Sequence, residues 1–161
     1  MNGELDSRLR EEDQNKMTSL STSLAHKTTV QQLREAGLKP TRQRIAIADI
    51  LFKDGHKHVS AEDLYSEIGR SGMQISLATV YNTLHQFTDV GLLREVGVDG
   101  AKNYFDTNTH DHQHFFLEDT NEVFDANDLQ ISAEDIPNVP ENMEVVRVDV
   151  VVRLRKKTNN T

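Results

Sequence analysis

Two adjoining stretches decide the fold: SLATVYNTLHQFTDV at residues 76–90 and GLLREVGVDGAKNYFD at residues 91–106. The first begins with Ser76, a favourable N-cap, and its apolar residues recur every three or four positions, which predicts an amphipathic helix. The second contains two short runs, 92–98 and 102–106, on either side of Asp99-Gly100, a strong hairpin signal. Together they predict a helix followed by a two-stranded antiparallel hairpin.

Three further helices are predicted upstream of this unit. They cover 26–36, 42–53 and 61–70, and are delimited by Gly37, by the N-cap Thr41 and by the capping box Ser60-Ala-Glu-Asp63. In the third of them, Leu64, Tyr65 and Ile68 are predicted to point inward. Helices in this order followed by a hairpin are the arrangement of a winged helix, a DNA-binding fold.

The second half of the chain is predicted to form strands, at 110–118, 121–126 and 143–155. The last has alternating apolar residues on one face: Val146, Val148, Val150, Val152 and Leu154. A small unit exposes this face unless a second copy covers it. We therefore expect an α+β homodimer with a flexible arm at 1–20, a winged-helix DNA-binding domain at 21–103, and a small α/β dimerisation and metal-sensing domain at 104–161.

Composition narrows the class of protein. The chain has 161 residues, of which 36% are apolar, and no cysteine. The absence of cysteine excludes disulfides, thiolate metal sites and a cysteine nucleophile. No apolar run approaches the roughly 20 residues of a membrane helix, and the first residues lack a signal-peptide core. We therefore expect a cytoplasmic protein with no membrane partner.

Charge is distributed unevenly along the chain, whose net charge is −8. Residues 1–103 carry 13 basic and 14 acidic side chains, whereas residues 104–161 carry 5 and 12. The stretch 27–44 contains five basic residues against the single acid Glu35. Because basic segments attract phosphates and acidic segments with histidines attract cations, the two halves are predicted to bind different ligands.

The fourth predicted helix is a candidate for reading DNA. Its exposed face carries small and amide side chains that suit thymine methyls and adenine edges. Taken alone, this helix could also be an ordinary amphipathic helix. The basic stretch 27–44 and the hairpin that follows favour DNA binding. Tyr81 suits either the core or a DNA contact. The predicted DNA-binding residues are Lys39, Arg42, Ser76, Ala78, Thr79, Tyr81, Asn82 and Lys102.

Histidines alternate along the first predicted strand of the second half, at His110, His112 and His114. Alternate side chains of a strand share a face, so three imidazoles can converge. Other potential ligands in the sequence are His56, His58, Asp106, Asp111 and Asp125. A nitrogen and oxygen donor set without sulfur favours Fe(II), Mn(II) or Zn(II). A solvated, histidine-rich strand edge is the alternative.

Three segments carry a resemblance to a known family: GLKPTRQRIAIADIL (37–51), HVSAEDLYSEI (58–68) and ISLATVYNTLHQFTDVGLLREV (75–96). They resemble the DNA-binding half of the ferric uptake regulator superfamily, and the match extends over about residues 30–125. The segments GLLREVGVDGAKNYFDTN, HFFLEDTNEVFD and MEVVRVDVVVRLRKK are more similar to the iron response regulator branch. The resemblance implies a dimeric, metal-dependent transcription factor, not an enzyme, that controls iron and haem homeostasis from an AT-rich, palindromic operator.

The resemblance also implies a metal-sensing site between the two domains. The superfamily uses a histidine before VSAEDLY, an acid after the wing, two histidines on the following strand and an acid on the next. The matching residues here are His58, Asp106, His112, His114 and Asp125. The implied cofactor is Fe2+, Mn2+ or Zn2+. The peroxide regulator uses the same set, and there the acid matching Asp125 favours iron-catalysed oxidation of a ligand histidine.

This sequence departs from the superfamily in ways that bear on the cofactor. The structural Cys-x-x-Cys zinc pairs are absent, as is the cysteine-proline haem motif of some members. The iron response regulator branch tends to carry three consecutive histidines implicated in haem binding, but the middle position here is Gln113. A non-haem metal is therefore the prediction, and haem is the alternative.

Two other functions remain open from the sequence. One is a peroxide-sensing repressor with the same ligand set. The other is a small metal-binding protein or cupin-like enzyme, since a His-x-His strand also occurs in that fold. Against the enzyme, a jelly roll needs about eight strands, whereas the first half of this chain is predicted to be helical.

Overall fold

The computed structural model describes residues 28–98, 100 and 102–158. The predicted arm at 1–20, the first two residues of the predicted first helix and Asp99 of the hairpin lie outside these residues. Within the described ranges, no helix is both long enough and apolar enough to cross a membrane.

Four helices open the described part of the chain: 28–35 (α1), Arg42–Phe52 (α2), Ala61–Arg70 (α3) and Leu77–Asp89 (α4). The last three begin after a hydroxyl that accepts a hydrogen bond from a backbone N–H three residues on: Arg44 to Thr41 at 3.3 Å, Asp63 to Ser60 at 3.1 Å and Thr79 to Ser76 at 3.1 Å. These caps confirm the predicted helix starts. The inward orientation predicted for Tyr65 is wrong, because this side chain is 44% exposed on the outer face of α3.

A three-stranded antiparallel sheet completes the first half. Its strands are His58–Ser60 (β1), Arg94–Val96 (β2) and Tyr104–Asp106 (β3), in the order β1-β3-β2. The predicted hairpin is therefore present, and Gly100 at its tip has a φ of 74°, which favours glycine. The three longer helices pack on this sheet around buried Leu51, Leu84, Phe87 and Phe105. This arrangement confirms the predicted winged helix, with a sheet that extends to Asp106, past the expected domain boundary.

A second sheet forms the other half of the molecule. Its strands are His114–Leu117 (β4), Glu122–Asp125 (β5) and Val151–Leu154 (β6), in the order β5-β4-β6. β4 pairs with β5 antiparallel and with β6 parallel. A single 3-10 turn at Ala133–Asp135 interrupts the long connection to β6 among the described residues. The two halves together confirm the predicted α+β class.

The strands of this sheet are shorter than predicted. The strand expected at 110–118 begins only at His114, because the chain turns after Asp106, whose Oδ1 accepts a hydrogen bond from the backbone N–H of Asn108. The strand expected at 143–155 is wrong over its first eight residues. Within the described chain, β4 offers four residues for pairing, so only Val151–Leu154 joins it.

A small apolar cluster joins the two sheets. Val96, Val98 and Tyr104 of the winged half pack with Phe116 of β4. The Tyr104 hydroxyl also donates a hydrogen bond to the carbonyl of Asn121 at 2.7 Å. These contacts bring the end of β3 beside the start of β4 and the end of β5, and the candidate site lies at this junction.

Candidate functional site

Each sheet contributes a cross-strand pair to one cluster. His58 at the start of β1 lies directly opposite Asp106 at the end of β3. His114 at the start of β4 lies directly opposite Asp125 at the end of β5. Opposed residues of neighbouring strands place their side chains side by side. His112, two residues before β4, completes the cluster, so the five residues implied as ligands come from both halves of the molecule.

The donor atoms of these five side chains lie within 4.8 Å of one another. Asp106 Oδ2 lies 2.8 Å from His112 Nε2, 3.1 Å from His114 Nε2 and 3.2 Å from His58 Nε2. Asp125 Oδ1 lies 3.0 Å from His58 Nε2 and 3.1 Å from His112 Nε2. Asp106 is fully buried and the three imidazoles are largely buried, so the cluster is shielded from water.

The chemistry of the cluster fits a divalent metal. His58 Nε2, His112 Nε2 and Asp125 Oδ1 are buried, yet they make no hydrogen bond with any residue that the structure describes. Such atoms are costly to bury unless something else satisfies them. The separations of 2.8–3.2 Å between the Asp106 carboxylate and the three imidazoles are short enough for these groups to share one ion at about 2.1 Å from each. Three imidazoles and two carboxylates without sulfur suit Fe(II), Mn(II) or Zn(II).

Two backbone groups beside the cluster set the tautomer of His112 and stabilise the charge of Asp106. The carbonyl of His110 lies 2.7 Å from His112 Nδ1, which fixes this nitrogen as the N–H donor and leaves Nε2 with a free lone pair. Burial by itself would raise the pKa of Asp106. The hydrogen bond from His114, the contact with His58 and the backbone N–H of Asn108 outweigh burial, and together they hold that pKa well below its ordinary value. Asp106 is therefore a carboxylate at neutral pH.

Three sequence candidates lie outside the cluster. His110 does not converge with His112 and His114, because the chain bends at His110 and its exposed ring contacts Asn108 Oδ1 at 3.3 Å. The prediction that all three histidines share one strand face is wrong for this reason. His56 is exposed, and Asp111 has 88% of its side chain exposed, so neither contributes to the cluster.

Comparison with known proteins assigns the chain to a family. The profile of the ferric uptake regulator family matches residues 35–153. The chain belongs to the ferric uptake regulator family. The ferric uptake regulation protein of Escherichia coli strain K12 is 40% identical over 102 residues, which are 63% of this chain and 69% of that protein.

Solved structures of the ferric uptake regulator family share the fold. The Vibrio cholerae ferric uptake regulator is 28% identical, with a TM-score of 0.62 over 79% of this chain and 98% of that one. The Pseudomonas aeruginosa ferric uptake regulator, solved with manganese, is 32% identical, with a TM-score of 0.60 over 80% and 97% of the two chains. Family membership confirms the prediction of a metal-responsive transcriptional regulator rather than an enzyme, and argues against the cupin-like alternative. The assignment to the iron response regulator branch stays a prediction.

The predicted DNA-binding residues of this family member differ in exposure and in the contacts they make. Six are exposed: Lys39, Arg42, Ser76, Ala78, Asn82 and Lys102. The hydroxyls of Ser76 and Thr79 lie 2.8 Å apart at the start of α4, where Ser76 also caps the helix. These two side chains therefore have a structural role, and the other five exposed residues are the stronger candidates for DNA contacts.

Tyr81 is half-buried and points toward α3 rather than outward. Its hydroxyl donates a hydrogen bond to Glu62 Oε1 at 2.7 Å. That bond lowers the pKa of Glu62 and, together with burial, raises the pKa of Tyr81. The sequence is compatible with either role for Tyr81, whereas its only signal at Glu62 is the capping box that begins at Ser60.

Arg44 is a second residue that the sequence did not single out. Its guanidinium donates to Gln86 Oε1 through Nη2 at 2.8 Å and Nε at 3.2 Å, and to the carbonyl of Lys39 at 2.9 Å. It thereby ties the start of α2 to the exposed face of α4. The only available signal was its place in the basic stretch 27–44, of which Lys27 lies outside the described residues.

Proposed function

We propose that this regulator senses a divalent metal at His58, Asp106, His112, His114 and Asp125, and that occupancy of this site sets its affinity for operator DNA. One observation carries the proposal: the five side chains converge although they come from two different sheets. Two belong to the winged half and three to the other half. A site with this composition is complete only when the two halves have one particular orientation.

The residues of the chain account for the switch. A bound divalent cation supplies the positive charge that allows two carboxylates and three imidazoles to share one centre. His58 and Asp106 hold the winged sheet at this centre, while His114 and Asp125 hold the second sheet. Loss of the cation leaves buried donor atoms unsatisfied, so the orientation of the two halves becomes less well defined. The position of α4 relative to a partner copy changes with that orientation.

The proposed target is double-stranded operator DNA in the cytoplasm. The methyl group of Ala78 suits thymine, and the amide of Asn82 suits adenine, so we infer an AT-rich site. Lys39, Arg42 and Lys102 are exposed, and we infer that they contact phosphates. A dimer with two copies of α4 requires a palindromic operator.

The proposed homodimer is supported by the segment before β6. Met143 is 70% exposed and Val146 is 91% exposed, which is unusual for such apolar side chains. The described part of one chain leaves them uncovered. A second copy packed against this segment would bury them.

We infer a non-haem metal rather than haem. Gln113 occupies the place where the related branch tends to carry a middle histidine, and its side chain is fully engaged in structure. Its Nε2 donates to the carbonyl of Ile131 at 3.1 Å, and its Oε1 accepts from the backbone N–H of Val150 at 2.8 Å. Gln113 therefore holds the segment that leads into β6, and its side chain is not free to bind haem. Peroxide sensing remains the second candidate, because it uses the same five residues.

The test combines metal analysis with DNA binding. Protein purified without oxygen is analysed for Fe, Mn and Zn, then titrated against duplex DNA containing AT-rich palindromes, with and without Mn2+, at fixed salt. The proposal expects one bound metal per chain and a DNA affinity that changes at least tenfold with Mn2+. Duplex binding that is identical in both states would overturn it. Addition of one oxygen atom to His112 or His114 after Fe2+ and peroxide would favour the peroxide-sensing candidate.

A further inference from the structure

Arg94 occupies a position beside the metal cluster that the proposed ligand set does not use. It lies on β2 directly opposite Asp106, which in turn lies opposite His58 on β1. The three residues therefore form one row across the winged sheet, with their side chains on one face. Arg94 is only 5% exposed. A buried guanidinium needs hydrogen-bond partners, and the partners of Arg94 show how the wing, the hairpin formed by β2 and β3, contacts the rest of the molecule.

Among the described residues, the guanidinium makes its polar contacts with the second half of the molecule. Nη1 donates to the carbonyl of His110 at 3.0 Å and lies 3.7 Å from Asp111 Oδ1. Nη2 donates to Asp149 Oδ1 in a very short contact. The Nε atom is buried and makes no hydrogen bond with any described residue. Arg94 thus links the wing to two separate points of the second half.

The first of these points leads directly to a ligand. The His110 carbonyl that accepts from Arg94 is the same carbonyl that lies 2.7 Å from His112 Nδ1. A hydrogen bond of this kind sets the tautomer and ring orientation of a metal-binding histidine. The position of Arg94 therefore controls the position of the carbonyl that orients His112.

The second point leads to β4. Asp149 is followed by Val150, whose N–H donates to Gln113 Oε1 and whose carbonyl accepts from the N–H of His114 at 3.0 Å. The contact of Arg94 with Asp149 therefore holds the segment that enters β6, and this segment is hydrogen-bonded to His114 at the start of β4. Both contacts of one side chain bear on the second half's histidines.

Physical chemistry makes this link specific to arginine. The planar guanidinium presents several N–H donors at fixed angles, so it reaches a carbonyl and a carboxylate at once, which a lysine ammonium does not reproduce. A charge buried to this extent is stable only when it is paired. The wing therefore meets the second half in the one orientation that pairs Arg94.

We propose that Arg94 is a positioning residue that couples the wing to the metal centre, by holding the His110 carbonyl against His112 and Asp149 against the start of β6. The inference rests on the proposed function, because it assigns the route by which metal binding reaches the wing. It also makes a separate claim, that metal affinity itself depends on a residue which is not a ligand.

Arg94→Gln is the direct test, with Arg147→Gln as the matched control. Arg147 donates to the other oxygen of Asp149 at 2.7 Å, but it makes no hydrogen bond or ion pair with His110 or with the described residues of the wing. Mn2+ affinity is measured by calorimetry, the ligand field by the absorption spectrum of Co2+-loaded protein, and DNA affinity by fluorescence anisotropy. We expect Arg94→Gln to weaken Mn2+ binding by about tenfold or more, to alter the Co2+ spectrum and to reduce the DNA response to metal. Arg147→Gln should match the wild type in all three.

Two further variants cover the case in which Arg94→Gln does not fold, which thermal unfolding reports. Arg94→Lys keeps the charge but not the two-point contact, so it should fold and still show weaker Mn2+ binding and an altered Co2+ spectrum. Asp149→Asn keeps the contact with His110 and weakens only the contact that holds the start of β6, so it should lower Mn2+ affinity less than Arg94→Gln does while also reducing the DNA response to metal. Folded Arg94 variants with wild-type Mn2+ affinity and Co2+ spectrum would overturn the proposal.

The two proposals fail in different ways. If the wild type shows no change of DNA affinity with Mn2+, the proposed function is wrong, and the claim about Arg94 is then judged by Mn2+ affinity and the Co2+ spectrum alone. If the wild type responds and the folded Arg94 variants respond equally, with unchanged metal affinity, the proposed function stands and the role of Arg94 is wrong.

Discussion

His58 Nε2 lies 3.0 Å from Asp125 Oδ1, although the two residues belong to different sheets. His58 begins the first strand of the winged half, and Asp125 ends the second strand of the other half. The contact is short, yet neither atom makes a hydrogen bond with the described residues. A cation shared by the two halves at this place would remove the free-energy cost of burying these unpaired atoms.

The histidines that precede and begin β4 should differ sharply in their importance. His112→Ala and His114→Ala each remove one donor atom of the cluster, so each should lose most Mn2+ binding in a calorimetric titration. His110→Ala is the matched control, because His110 contacts the ligand His112 only through its backbone carbonyl, which alanine retains. Loss of Mn2+ binding in His110→Ala, with His112→Ala unaffected, would point to a different local site.

The Tyr81–Glu62 hydrogen bond should give a stability term that depends on pH. The pKa of Glu62 is lowered, so its contribution is present above its unfolded value of about 4 and is lost as pH falls. The pKa of Tyr81 is raised, so its contribution is present below about 10 and is lost as pH rises through the folded value. Tyr81→Phe should therefore lower the free energy of unfolding by about 1 kcal/mol between roughly pH 5 and 9, and less outside this range.

Urea denaturation at a series of pH values measures this difference. Tyr65→Phe provides the control, since the Tyr65 side chain is 44% exposed on α3 and should show no such pattern. A difference between wild type and Tyr81→Phe that is constant with pH would show that the hydrogen bond is not its source.

DNA recognition should divide between reading bases and binding phosphates. Asn82→Ala should cost about 1–3 kcal/mol on the preferred operator and should relax sequence preference. Lys102→Ala should weaken binding to every duplex and reduce the salt dependence. Lys157→Ala, an exposed lysine after β6, is the charge control. Anisotropy titrations on specific and scrambled duplexes distinguish these outcomes, and equal losses on both duplexes for Asn82→Ala would exclude it from base reading.

The segment before β6 should determine the oligomeric state. Val146→Asp places a charge on a side chain that is 91% exposed in one chain. If a second copy covers it, the charge should produce monomers with weak operator binding, because an unpaired charge is costly to bury. Gln43→Asp adds the same charge to the exposed surface of the winged half and should leave the dimer intact. Light scattering reads the mass, and an unchanged dimer in Val146→Asp would place the interface elsewhere.

Local chemistry made much of the fold predictable. Helix α4 was correctly predicted from Ser76 and the spacing of the apolar residues, because capping and helical period act within a few residues. The error at His110 has a local cause too, since a turn held by Asp106 displaces the start of β4. Strand alternation alone does not reveal where a strand begins.

Features that depend on distant contacts were not predictable in the same way. The valines before Val151 alternate as in a strand, but a strand forms only where a neighbour offers backbone groups, and β4 is short. Arg94 looks like any basic residue of a wing. Its role depends on the His110 carbonyl and on Asp149, which lies 55 residues away in sequence.

We propose that metal binding acts on DNA affinity through the junction of the two halves, and His58→Ala removes the imidazole that the winged half contributes to that junction. His56→Ala is the control, because His56 is exposed and lies outside the cluster. Operator affinity of both variants and the wild type is measured with and without saturating Mn2+, together with Mn2+ affinity. We expect His58→Ala to bind some Mn2+ through the second half without changing its DNA affinity, whereas His56→Ala should behave as the wild type. A His58→Ala protein with wild-type Mn2+ affinity and a full DNA response to metal would show that the junction does not carry the response.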